Sequence, residues 1–330
     1  MIVLSAEIDR RFDLRLIGAF IQIGAVLVSW RMVFDPGIDW ATGSAPLWDV
    51  LLGYAGAIAL LSGAWLLTRK RGRLGNMVML ESAVWLLAGV FASVLLDRLL
   101  GAAEGDHWGF GLLAAVWEMP AVVQMYRLRA GGAWAWWCRL GLALIFGTVA
   151  LLMAALMMIL SNPLITSGEL VIGPVVANSL AVAYLPLAIV LAVAALKLTH
   201  LPRFARLGFA ALSGVFVVLY LGLAIRHAWW GPDLSVQDIK DGELYTYTVA
   251  MLIASALGLW IGFSRRSDLL RKMAMWGVAL TIAKVFLIDM NGLTGLTRVA
   301  SFLGLGLSLA ALAWINRKMT EQWERGVEPE

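Results

Sequence analysis

Charge is scarce in this sequence. Asp, Glu, Lys and Arg together supply 15% of its 330 residues, against roughly a quarter in soluble domains, so no segment suggests a separate water-soluble domain. Cysteine is nearly missing. Cys138 stands alone, which excludes a disulfide within the chain. The three histidines, His107, His200 and His227, are scattered without paired spacing, which argues against a zinc site. There is no Gly-x-Ser-x-Gly elbow and no phosphate loop ending in Gly-Lys-Ser/Thr, so familiar enzyme chemistry and a built-in nucleotide motor leave no motif. No metal and no cofactor is expected.

Apolar length is what the chain has. Hydrophobic residues make up 61% of it, with a mean hydropathy of +0.82. A helix needs about 20 apolar residues to cross the hydrocarbon layer, where backbone groups find partners only within the helix. Ten such stretches can be read: Leu14 to Phe34, Leu47 to Thr68, Met77 to Leu96, Trp108 to Arg127, Cys138 to Leu160, Val171 to Lys197, Phe204 to Arg226, Tyr245 to Phe263, Met273 to Met290 and Val299 to Asn316. The expected fold is therefore all-α, a polytopic transmembrane bundle of about ten spans arranged as hairpins. Residues 1–330 form one membrane domain on this reading. The first apolar run continues for a full span without a small-residue cleavage site, so it reads as a retained helix rather than a removed signal.

The net charge of +4 would invite a nucleic-acid partner, but the positions of the charges remove it. Apart from Arg31, Arg98, Arg226, Lys240, Lys284 and Arg298, the Lys and Arg residues sit at the two ends or in every second loop. By the positive-inside rule both termini are cytoplasmic, and the basic residues face anionic lipid headgroups. Each helix that starts on that side is announced by a basic residue and a nearby glycine: Arg15 with Gly18, Arg73 with Gly75, Arg139 with Gly141, Arg206 with Gly208, Arg271 with Gly277. Duplicated hairpins would give this spacing. So would any short-looped bundle that favours small residues at helix contacts, the use also expected of Gly147, Gly304 and Gly306.

Ionisable groups inside a bilayer cost roughly 2.5 to 3.5 kcal/mol on insertion scales, so each calls for a partner or a purpose. Glu118 stands near the middle of the fourth stretch, beside Pro120, which removes a backbone donor. A carboxylate there suits either a proton-coupled transporter or a structural bond to a neighbouring helix. Glu81 lies close enough to the cytoplasmic end to reach water. Lys284 lies inside the ninth stretch, and a rotation of ~140° separates it from Asp289, so Glu118 is its leading candidate partner. Asp289 is better placed to meet Arg298.

Arg226, then Trp230-Gly231-Pro232-Asp233-Leu234, Gly242-Glu243-Leu244-Tyr245-Thr246-Tyr247, Lys284-Val285-Phe286-Leu287-Ile288-Asp289 and Arg298-Val299-Ala300-Ser301-Phe302-Leu303-Gly304-Leu305-Gly306 form a recognisable series. It resembles the C-terminal signature of a bacterial family of predicted multi-pass membrane proteins of unknown function (DUF 2339). The specific match covers 226–316, and upstream only hydropathy agrees. Members are commonly longer, and an aromatic residue is expected where Thr297 stands, so the resemblance implies a shortened member. It also implies a bacterial inner-membrane location, and it brings no reaction or catalytic residue.

The resemblance gathers Arg226, Glu243, Tyr245, Tyr247, Lys284, Asp289 and Arg298 at the outer half of the last helices. With Glu118 these are the candidate binding residues. Three functions are open. A secondary transporter or translocator of a polar or lipid-linked envelope substrate would run its path past the sixth stretch, where Gly173, Pro174, Asn178, Ser179, Tyr184 and Pro186 make the least regular segment. A membrane-embedded envelope enzyme would use Glu243, Asp241 or Asp289 as acid or base. A non-catalytic scaffold would turn none of these groups to a cavity. Membrane lipids are the expected partners, and oligomeric state is not legible. The threading predicts that a cysteine placed at Ser167 or Ser235 reacts with a membrane-impermeant thiol reagent from the periplasmic side, and one at Gly72 or Ser267 does not. The reverse labelling would overturn it.

Overall fold

Many leucines and tryptophans point outward along these helices while many alanines point inward, unlike a soluble core. The computed structural model describes residues 1–12, 15–35, 37–43, 45–69, 74–101, 105–130, 132–236 and 238–289, with scattered positions between 299 and 318. Its regular elements are helices, and the chain divides into two compact units, Met1–Val236 and Gln237–Glu330. The first holds α1 (Ile2–Phe12), α2 (Arg15–Val33), α3 (Gly37–Thr42), α4 (Leu47–Arg69), α5 (Leu74–Leu100), α6 (His107–Tyr126), α7 (Gly132–Ile159), α8 (Ser179–Lys197) and α9 (Arg203–Trp230). The second holds α10 (Asp241–Ser264), α11 (Asp268–Lys284) and a π-helical turn, Val285–Asp289.

Ala25, Ala64, Ala114, Ala143, Ala183 and Ala194 are fully enclosed, whereas Leu16, Phe20, Leu27, Leu151, Ile189 and Trp260 are more than half exposed. Small residues let backbones approach, and large apolar ones face lipid, where burial in protein would gain nothing further. Among the described residues seven helices, α2, α4, α5, α7, α8, α9 and α10, are long and apolar enough to cross a membrane. The chain is thus a multi-pass, all-helical membrane protein. The fourth expected stretch forms α6, which carries His107, Glu118 and Gln124, and the ninth forms the 17-residue α11. The tenth falls largely outside the described residues. The basic segment ahead of the first stretch is itself helical: α1 packs along α2 and α4, with Ile2 against Gly24.

The sixth stretch is corrected. Helix was expected from Val171, yet α8 begins at Ser179. Gly173 adopts φ +107°, Pro174 offers no N–H, and Asn178 caps the helix by accepting the Ala181 amide at 3.0 Å. Together these close off helix before Ser179. Residues 160–178 form an irregular connection instead.

The repeated glycines share no single contact. Nothing lies within 4 Å of a Cβ built on Gly141, Gly208, Gly304 or Gly306, while one on Gly277 would meet Ser255 Oγ at 2.6 Å. The tightest approach is elsewhere, where α6 crosses α8: a Cβ on Gly111 would stand 2.4 Å from the Ala183 carbonyl oxygen and 2.5 Å from its Cα. Backbone cannot yield as a side chain can. Gly111→Ala should therefore destabilise the protein by about 1 to 3 kcal/mol, and Gly208→Ala, in open space, should change it by no more than about 1 kcal/mol in the favourable direction. Unfolding in detergent, followed by circular dichroism, measures both.

Candidate functional site

The α7–α8 connection brings three residues from distant parts of the chain into one line. His107 opens α6 and is 1% exposed. Its Nδ1 lies 2.9 Å from Glu169 Oε2 and its Nε2 lies 2.8 Å from Ser179 Oγ. A carboxylate accepts only, so Nδ1 donates to Glu169, and in the neutral ring Nε2 accepts from the serine hydroxyl. The Ile172 N–H donates to the same Oγ at 3.1 Å. Carboxylate, imidazole and hydroxyl thus stand in the order that acyl-transfer enzymes use, recognised by geometry rather than by chain position.

Helix α8 adds a further group. At its N-terminus the Ser179 amide donates to Ile172 O, Ala181 to the Asn178 side chain and Val182 to Asn178 O, which leaves the Leu180 N–H without a partner among the described residues. The connection itself is pinned throughout. Val171 N donates to Pro232 O at 2.8 Å, Tyr220 OH to Val176 O at 2.6 Å and Ser161 Oγ to Gly105 O. His227 turns one ring nitrogen to Gly231 O at 2.7 Å and the other to Gly173 O at 3.2 Å. On the same connection Ile165, Ile172, Val175 and Val176 are exposed. Apolar side chains on an irregular surface segment belong at a lipid boundary. Asp233, whose neighbour Leu170 it bridges, has its carboxyl held below the usual carboxylate range by hydrogen bonds from the Ser235 hydroxyl and amide.

At the opposite end of α6 lies a buried ionic cluster. Glu81 was expected to reach water, but it is 6% exposed. Its Oε2 accepts from Arg139 Nη2 at 3.1 Å, and Arg127 Nη1 stands 2.7 Å from Oε1 as an ion contact. Arg139, 3% exposed, also reaches Gln124 Oε1 at 3.5 Å. Nearby on α5, Asn76 accepts from Gln22 Nε2 at 2.7 Å.

The residues proposed from the sequence fall elsewhere. In the second unit Glu243 lies in the first turn of α10, 1% exposed, and accepts from the Tyr247 hydroxyl at 3.1 Å. Lys284 donates to Leu244 O at 2.9 Å and to Thr248 Oγ1 at 2.7 Å. Glu243, Tyr247 and Lys284 therefore converge on one α10 turn, and Tyr245 lies half-buried beside them. The π-helical turn starts directly after Lys284, a distortion frequent at functional sites. The Asp289 side chain and all of Arg298 lie outside the described residues. In the first unit Arg226 donates to Leu234 O at 2.9 Å and to Val236 O, and stacks over Trp230. It holds the turn after α9. Glu118 is half-buried and has no hydrogen-bond or ion-pair partner among the described residues. Its pairing with Lys284 would bridge two separately described units and stays an expectation.

His107, Glu169 and Ser179 carried no joint signal in the sequence, because the partners stand 62 and 72 positions apart. The available hint was that an irregular segment preceded a helix at Asn178 and Ser179. For the ionic cluster, replacing Glu81 with Gln should destabilise the protein by about 3 kcal/mol, because it strands the buried Arg139 guanidinium in low dielectric, while the partly exposed Arg127 can turn to water. Pairing Glu81→Leu with Arg139→Leu should recover part of that loss in a double-mutant cycle read by thermal unfolding. Strict additivity would mean that the two do not interact.

Among curated proteins and among solved structures, none matches the chain. The resemblance expected over 226–316 proves far broader. A match running from residue 1 to residue 319 takes in nearly the whole sequence, and the chain therefore belongs to the family described as predicted membrane protein DUF2339.

Proposed function

We propose that this protein is an acyl-transfer enzyme embedded in the bacterial inner membrane, acting on an ester-linked amphipathic lipid at the periplasmic surface. The Glu169–His107–Ser179 line carries the reading. In it His107 Nε2 takes the hydroxyl proton as Ser179 Oγ attacks the ester carbonyl, and Glu169 holds the ring in the required tautomer and steadies the imidazolium. The Leu180 N–H, at a helix N-terminus, would serve as the donor to the oxyanion. Collapse of the tetrahedral adduct expels the alcohol, which recovers the proton from His107 and leaves the acyl group on Ser179. Water or a second hydroxyl then takes the acyl group by the reverse sequence. The exposed Ile165, Ile172, Val175 and Val176 favour an acyl chain over a free sugar as the group presented. Ser179 is 8% exposed, so substrate must displace part of the Ile172 to Val176 segment to reach it.

A second reading, a secondary translocator of a polar or lipid-linked substrate, draws on Glu118. A carboxyl group beside Pro120 in α6, with no partner among the described residues, is what proton coupling would use. One carboxyl group is a less specific arrangement than three groups in line, so this reading stands behind the enzyme reading.

A fluorophosphonate probe added to membranes containing the protein should label it at Ser179. Ser179→Ala should abolish labelling, and His107→Gln should slow it by about 10³-fold or more. Glu169→Gln should also slow it while the protein still folds. Wild-type protein that resists the probe, or labelling that persists in Ser179→Ala, would reject the reading.

A further inference from the structure

Two guanidinium groups converge on one tryptophan at the basic face. Trp65 lies one turn before the end of α4, with Arg69 at 5.6 Å and Arg127 at 5.8 Å from its ring centre. Arg69 is exposed and Arg127 is 39% exposed. Like charges drawn to one ring repel, and each cation–π contact is worth only about 0.5 to 1 kcal/mol at an exposed site. Among the described residues the one carboxylate in ion-pair reach of this group is Glu81, and it is shared between Arg127 and Arg139. Three positive charges therefore face one negative. Donors are in excess as well: Trp65 Nε1, Gln124 Nε2 and Arg139 Nε are buried without a hydrogen-bond partner among the described residues, and Gln124 is fully enclosed. In sequence, Lys70, Arg71 and Arg73 follow at once, adding to the positive field.

We propose that Arg69, Trp65 and Arg127 form a binding site for the headgroup of an anionic phospholipid, its phosphate seated between the two guanidinium groups. A phosphate supplies the missing negative charge and several acceptor oxygens, and arginine meets it with paired donors. The surroundings favour a lipid over a free anion. Arg69 and Arg127 each stand where a helix ends, at the depth where tryptophan settles beside headgroups. Leu66 and Tyr126, next to them in sequence, are exposed and apolar-bodied, a surface that acyl chains can cover. Among the described residues Arg69 has no ion pair, which leaves its charge open to a group that approaches from the membrane surface.

The test uses the whole protein in neutral detergent and reads its unfolding temperature with phosphatidylglycerol, phosphatidylcholine or inorganic phosphate added at equal concentration. Phosphatidylglycerol near saturation should raise the temperature by about 5 °C over phosphatidylcholine. Arg69→Gln, which leaves the Glu81 pairs intact, should lose at least half of that rise while its lipid-free unfolding temperature stays near wild type. Equal stabilisation by phosphatidylcholine would overturn the site, as would an Arg69→Gln protein that responds like wild type. Inorganic phosphate reproducing the full rise would overturn the lipid assignment and leave a site for a soluble anion.

Discussion

Lipid offers a polar group nothing to bond with, and the rest of this structure follows from that constraint. The long helices close most of their own backbone bonds, and several of their hydroxyls are folded back onto the preceding turn, as Ser82 does to Val78 O and Thr281 to Gly277 O. Lys284 follows the same rule by donating to a carbonyl and a hydroxyl on α10, and Glu81 by taking two arginines. An isolated charge at such depth would shift its protonation or disrupt the fold. Paired, it fixes the helices that carry it. The Glu81–Arg139 contact ties α5 to α7, and Lys284 ties the end of α11 to the start of α10.

The α7–α8 connection is where the constraint is met differently. Nineteen or so residues without helix would leave many backbone groups bare, and loops of that length are uncommon unless they serve a function. Here some of the carbonyls and amides are taken by side chains from helices: Tyr220 and His227 each meet a carbonyl and Ser179 accepts an amide, while Ser161 of the connection itself donates to Gly105 O. That demand explains why polar side chains gather at this end of the bundle. It also explains how Glu169, His107 and Ser179 come to share one line, since an irregular backbone can aim a carboxylate back at a helix N-terminus as a straight helix cannot. Structural need and acyl-transfer geometry thus use the same groups, and the probe chemistry of Ser179 is what separates them.

Hydropathy made the spans legible because the bilayer fixes helix length and forbids open backbone. Leu47 to Thr68 and Phe204 to Arg226 each fall within the helix found, α4 and α9. The start of α8 was misplaced by eight residues, Val171 against Ser179: Val171, Ile172, Val175 and Val176 are apolar enough to read as span, and hydropathy is blind to the backbone that Gly173, Pro174 and Asn178 impose. Charge was harder to read. A lone Glu81 has no sequence mark that two arginines 46 and 58 positions away will enclose it, because pairing between helices depends on which faces meet. Among the described residues Lys284 meets a backbone oxygen and a threonine hydroxyl, which no charge pattern could point to.

Helix α6 shows why a less apolar helix is tolerated here. It packs against α5, α7 and α8, with Gly111, Ala114, Ala115 and Ala121 buried so that those neighbours come close. A helix surrounded by protein need not satisfy lipid, so it can carry His107 at one end, Gln124 at the other and Glu118 between. Its length of 20 residues, about 30 Å at the helical rise, sets the distance between the serine line and the arginine cluster. Close packing at Gly111 is then more than a stability device: it holds His107 on α6 against Ser179 on α8, since both helices start at that end. A wedge between α6 and α8 would part imidazole from hydroxyl before it unfolded anything. Precision at this site therefore depends on the smallest residue in the crossing.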